Sequence, residues 1–263
     1  MKRLNNYRSI HLLACMTLIF LLVWIVAGLF RLFPSDVITS FRTTSLRFFL
    51  ATIFIYGLYL KGYPVFHMEK KSLYSTGWLI IPAFIVSLNN FPWHVLYNGS
   101  LNLNVGLGVV VLFFIECLSI GIFEEVLFRY VIFVIIMQLL TINKKNVFLG
   151  MVLSSVLFGL FHLINLFAGA GVGETLQQVG YTTLLGLLWS MTLFLTQNIW
   201  VPILLHTIYN FVGVLYFRYG SVSTRFDLFT IIVTIIVAVI TTIFYVKQFK
   251  SMSLDTVETL INP

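Results

Sequence analysis

Eight stretches of this chain are apolar for long enough to cross a lipid bilayer: residues 10–30, 45–61, 76–93, 105–140, 147–167, 179–195, 199–217 and 227–246. About 20 apolar residues in helical form cover the roughly 30 Å of hydrocarbon in a membrane. Inside lipid every backbone polar group has to be satisfied within the protein, which long apolar runs achieve as helices. The pattern therefore predicts an all-α, polytopic transmembrane bundle of about eight spans, filling residues 1–263 as one integral membrane domain. Composition agrees, with 59% of residues hydrophobic and only 10% charged, against about 45–50% and about 25% in a soluble domain.

One run is too long. Drawn as a straight helix, 105–140 would measure about 54 Å at ~1.5 Å per residue, so it is either a single tilted or kinked span or two spans broken near Gly121. Charge favours a single crossing. With both termini cytoplasmic, ten Lys and Arg then lie inside and five outside, the five being Arg31, Arg42, Arg47, Arg218 and Arg225. A double crossing would abolish this bias, and the positive-inside rule expects it. The net charge of +7 thus belongs to topology and excludes nucleic acid as the expected partner. The partners expected are the bilayer itself and a peptide or protein substrate. The run 10–30 exceeds the apolar core of a signal peptide and reads as a retained first helix. Cys15 and Cys117 both lie within apolar runs and imply no disulfide framework. The 168–178 stretch, with Gly169, Gly171 and Gly173, reads as a flexible external loop that covers the site.

Ionisable groups at membrane depth are costly and mark function. In the second half of the chain they are Glu116, Glu124, Glu125, Arg129, His162 and His206, with Asn210 as a further polar group. Glu125 and Arg129 are i, i+4 and share a helix face, so they can pair. Glu124 points about 100° away and has Phe128 at its own i+4 position, so it reads as a carboxylate without an adjacent cation, suited to act as a general base. Phe158 and His162 share a face, as do His206 and Asn210. Each cluster alone has a plainer explanation: a protonated carboxyl, a packing histidine, a hydrogen bond between helices. Taken together they place a carboxylate, two imidazoles and a carboxamide on three separate spans, and one interior pocket is the economical home for all four. Glu116, two turns before Glu124, could line the same cavity or pack between helices. Asn89 and Asn90 could pack or hydrate the third span.

Glu124-Glu125-x-x-x-Arg129, Phe158-x-x-x-His162 and His206-x-x-x-Asn210, in this order on successive spans, resemble the CPBP family. These are the CAAX-prenyl-protease and bacteriocin-processing proteins, also called Abi proteins, described as intramembrane glutamic endopeptidases. The resemblance covers 105–217. One departure is Tyr130, where many members have Gly. The resemblance implies that Glu124 and His162 activate a water, that His206 and Asn210 stabilise the oxyanion, and that Glu125, Arg129 and Phe158 support the site. It also implies a peptide or protein substrate, as in CAAX-type, pheromone or bacteriocin-related processing or immunity, and a multi-pass location in a bacterial cell membrane. No metal ligand set or cofactor is expected. A zinc site built from the two histidines and a carboxylate is the mechanistic competitor, although no H-E-x-x-H is present. Two other functions compete: a non-proteolytic scaffold or regulator of the same fold, and a proton-coupled transporter using Glu116, Glu124 and Arg129.

Overall fold

The computed structural model describes residues 37–63, 65, 77–223 and 228–253. The 10–30 run lies outside them, as do Cys15 and both ends of the chain. Among the described residues the regular structure is helical, with an isolated bridge between Leu103 and Gly220. The helices are α1 (Val37–Leu60), α2 (Ile80–Asn89, entered through a 3₁₀ turn at Gly77–Leu79) and the short α3 (Trp93–Tyr97). Next come α4 (Leu107–Glu125), a π-helical segment (Val126–Ile132) and α5 (Phe133–Gln138). They are followed by α6 (Lys144–Phe161), the short α7 (Ile164–Phe167), α8 (Val172–Thr196), α9 (Trp200–Tyr219) and α10 (Leu228–Ser251).

Six helical stretches are long and apolar enough to cross a membrane: Arg42–Leu60, Leu107–Gln138, Lys144–Phe167, Val172–Thr196, Trp200–Tyr219 and Leu228–Ser251. The segment Gly77–Asn89 is apolar but shorter. The chain is an integral multi-pass membrane protein with six such spans among the described residues. The expected 105–140 span is a single rod of 32 residues, about 48 Å long at ~1.5 Å per residue, which a tilt accommodates in the bilayer. It does not break at Gly121. Its irregularity falls instead at Val126–Ile132, where the helix widens to a π turn, a feature found preferentially beside functional sites. The Ser154 hydroxyl of α6 donates to the Phe128 carbonyl inside this widened segment.

Local chemistry fixes the helix ends. The Asn143 side chain accepts from the Asn146 amide at 2.9 Å, capping α6, and Asn198 accepts from the Trp200 amide at 2.9 Å at the start of α9. Helix α8 stops at Gln197, whose φ of 50° is left-handed. The 168–178 stretch is not a loop: α8 begins at Val172, which leaves only the turn around Gly169 irregular.

Helix α8 is the most buried span and packs on α6, α9 and α10, while α4 packs on α1 and α9. Its hydroxyls turn back onto its own backbone, Thr182 to Gln178, Ser190 to Gly186, Thr192 to Leu188 and Thr196 to Thr192. These bonds satisfy hydroxyl groups that have no water to turn to. Small residues bring the helices close. A Cβ on Gly121 would sit 2.7 Å from the Thr207 hydroxyl and 2.9 Å from the Ile203 carbonyl, so α4 and α9 touch backbone to backbone there. Gly159 plays the same part between α6 and α8, where a Cβ would meet the Val179 carbonyl at 2.7 Å. Large apolar side chains such as Leu149, Leu153, Ile236 and Ile240 face outward, as lipid-facing positions do.

Candidate active site

A cavity of about 270 Å³ opens between α1, α4, α6, α8 and α9. Glu124, His162, His206, Asn210 and Phe158 all line it. The four polar residues singled out from the sequence therefore do share one hollow. Glu124 comes from the last turn of α4. His162 is the C-cap of α6, and its Nδ1 lies 3.0 Å from the Phe158 carbonyl. His206 and Asn210 are one turn apart on α9.

His206 is the centre of the arrangement. Its Nδ1 lies 2.8 Å from Glu125 Oε1, and its Nε2 lies 3.7 Å from Glu124 Oε2. The first is a hydrogen bond between buried groups. The second is too long for a hydrogen bond and leaves the two groups in close electrostatic contact. Glu125 also pairs with Arg129, Nε to Oε2 at 2.9 Å, with both side chains fully buried. The i, i+4 pairing expected from spacing is present, and Glu125 does more than neutralise Arg129. It holds one nitrogen of His206 and so leaves the other facing the cavity. Spacing could not reveal that contact, because the two residues lie 81 positions apart.

The Arg129 guanidinium lies over the Phe158 ring, 4.6 Å from its centroid, a cation–π contact strengthened by burial. Phe158 also meets both imidazoles edge-on, with centroids 5.1 Å from His162 and 5.9 Å from His206. It serves as a rigid spacer between the two rings. Asn90, the C-cap of α2, donates to the Tyr209 carbonyl at 2.8 Å, fixing α9 between His206 and Asn210. Asn89 donates to Thr234 at 2.6 Å and ties α2 to α10.

Two expectations need correction. Glu124 is not remote from cations, because Arg47 of α1 lines the same cavity and interacts electrostatically with Glu124 and then Glu116. Nor is Arg47 an outer-loop charge, since it sits within the Arg42–Leu60 span. No motif spacing pointed to it: it stands far from the motif residues in sequence, with no acidic residue at i±4. Glu116 lines the cavity and is paired, with Arg218 Nη1 3.1 and 3.0 Å from its two oxygens. Cys117 is buried on the same wall.

The arrangement offers a carboxylate, a histidine oriented by a second carboxylate, another histidine and a carboxamide around a space large enough for a peptide group. Among the described residues no three His, Cys, Asp or Glu side chains are grouped to hold a metal ion.

Comparison with curated proteins gives no match, and comparison with solved structures gives none either. Residues 104–212, the segment that holds Glu124, Glu125, Arg129, Phe158, His162, His206 and Asn210, match the family model described as Rce1-like: Type II CAAX prenyl endopeptidase Rce1-like. The resemblance drawn from the motifs is borne out at family level: residues 104–212 of this membrane protein are similar to the Rce1-like type II CAAX prenyl endopeptidases.

Proposed function

We propose that the protein is an intramembrane endopeptidase that hydrolyses a peptide bond of a membrane-associated protein or peptide, with Glu124 as general base. The observation that carries this reading is the shared cavity, which gathers Glu124, His162, His206 and Asn210 from three helices of the Rce1-like segment.

In the proposed reaction a water lies between Glu124 and His162. The Glu124 carboxylate takes a proton as the water oxygen attacks the carbonyl carbon of the scissile bond. His206 Nε2–H and the Asn210 amide donate to the oxyanion that forms. His206 Nδ1 rests against Glu125 Oε1, which fixes the ring and directs Nε2 toward the Glu124 side of the cavity. Collapse of the tetrahedral species breaks the C–N bond, and Glu124 returns the proton to the leaving amine. The hollow excludes lipid and limits water, so each donor acts in a low-dielectric setting where it is worth more than in solution. No step uses a metal.

Glu124→Gln keeps the shape and hydrogen-bonding capacity of the side chain but removes the base. Its purified form is expected to lose peptide cleavage, by about 10²-fold or more, while eluting as a folded protein in detergent. Cleavage of a reporter peptide at the wild-type rate would remove Glu124 from the mechanism. Loss of cleavage in the variant together with cleavage by wild type also separates this reading from a scaffold of the same fold.

A further inference from the structure

A peptide bond is open to attack only in a stretch of chain that has left its helix. Inside a membrane the N–H and C=O groups so released find no water to bond. A cavity that hydrolyses such a bond must therefore supply partners for the main chain beside it. Much of the polar surface of this cavity is already committed. Glu124, His162, His206 and Asn210 belong to the proposed reaction. Arg218 Nη1 bridges both oxygens of Glu116, at 3.1 and 3.0 Å, and the Thr182 hydroxyl turns back to the Gln178 carbonyl at 2.7 Å.

Two further carboxamides stand on the wall. Asn165 of α7 and Gln178 of α8 both line the hollow, and Asn165 Nδ2 donates to Gln178 Oε1 at 2.8 Å. A carboxamide carries two N–H donors and an oxygen with two lone pairs. The bond between them uses one donor of Asn165 and one lone pair of Gln178. The pair therefore still presents the Asn165 Oδ1 acceptor and the Gln178 Nε2 donors. Exchanging O and N in both side chains leaves the same offer, an acceptor beside a donor. An extended peptide presents the complement, an N–H and a C=O from its main chain.

The position suits this use. The Asn165 backbone amide donates to the His162 carbonyl at 3.0 Å, so the carboxamide stands one turn beyond the imidazole. Side chains three apart on such a turn are about 5–6 Å from each other, which is one to two residues of extended chain at ~3.3 Å each. Residues 166–174, which lie between the two carboxamides in sequence, are exposed, whereas Asn165 and Gln178 are half-buried. The pair thus sits at the rim of the hollow.

We infer that Asn165 and Gln178 form a clamp for the main chain of the substrate, binding the N–H and C=O of a residue one or two positions from the scissile bond. The inference rests on the peptidase reading for the identity of its ligand. Both are positioning residues: they hold the extended chain so that the neighbouring carbonyl meets Glu124 and His162. Because the clamp grips the main chain, it accepts any side chain at that residue that the rim can hold.

The test uses the full-length Glu124→Gln protein in nanodiscs, so that binding is read without turnover, by fluorescence anisotropy of a labelled apolar hexapeptide. Each backbone N–H of the peptide is replaced in turn by an ester oxygen, which deletes one donor and leaves the side chains unchanged. One position is expected to weaken binding about tenfold. Adding Asn165→Leu or Gln178→Leu should shrink that penalty towards one and leave the other positions as they were. Asn165→Gln/Gln178→Asn, which keeps a carboxamide pair, should restore part of it. No binding of the parent peptide, no sensitive position, or a penalty retained in both leucine variants would each overturn the clamp. So would an even loss over all the peptides with a lower melting temperature, which would make the pair a strut between α7 and α8. A position-specific penalty in a protein whose wild type cleaves no peptide would instead leave the clamp standing and sink the hydrolysis.

Discussion

Among single residues, Glu125 shows how one buried carboxylate serves two partners. It accepts from His206 and neutralises Arg129, and neither contact has water to replace it. Glu125→Gln leaves the Arg129 charge uncompensated, which is expected to cost about 3–5 kcal/mol of stability, read as a lower melting temperature in detergent. Glu125→Met/Arg129→Met removes both charges and should recover most of that stability. Cleavage should stay lost in the double variant, because His206 no longer has a fixed orientation. Recovery of both properties would reduce Glu125 to a counterion for Arg129. The Glu125–Arg129 pair was legible in the sequence because helical spacing alone dictates it. The Glu125–His206 bond was not, because it depends on how α9 packs against α4. Arg47 escaped notice for a related reason: an isolated cation in an apolar run offers no spacing to interpret, and only packing shows what it faces.

Helix geometry carries the rest of the site. His162 ends α6 three residues after Gly159, and Gly159 lies so close to α8 that a Cβ there would press on Val179 and Thr183. Gly159→Val must push the two helices apart. A loss of about 1–3 kcal/mol is expected from the overpacking, together with reduced cleavage as His162 moves from the cavity wall. A variant with wild-type melting behaviour and activity would show that the crossing has slack. Six of the spans were readable from apolar length, whereas the 76–93 run yields only the shorter Gly77–Asn89 segment and the 10–30 run lies outside the described residues; the single crossing of 105–140 agrees with the single rod Leu107–Gln138. The π-helical turn at Val126–Ile132 was not, since seven residues with no distinctive period carry it. The supposed loop at 168–178 misled because its glycines outweighed the helical stretch that begins at Val172.

For the molecule as a whole, the single long rod fixes which loops share a side. Lys144 of α6 donates to the Lys250 carbonyl of α10 at 2.8 Å, and Ser221 donates to the Ser100 carbonyl at 2.7 Å. These two clusters lie at opposite ends of the span Leu107–Gln138. In a chain with Cys15 and Cys117 replaced by Ala, a cysteine introduced at Lys144 or at Lys250 should react with a membrane-impermeant maleimide from one face of sealed vesicles. One introduced at Ser100 or at Ser221 should react from the other face. Labelling of Ser100→Cys and Lys144→Cys from the same face would mean that the rod crosses twice. The wall contributed by α1 has a different consequence. Every polar residue of the motifs lies within 104–212, yet Arg47 completes the chamber from a stretch of the gene that the family model does not cover. One wall of the chamber is therefore laid down by a different part of the chain from the motif residues, so substitutions within residues 42–60 can reshape the hollow while every motif side chain stays as it is.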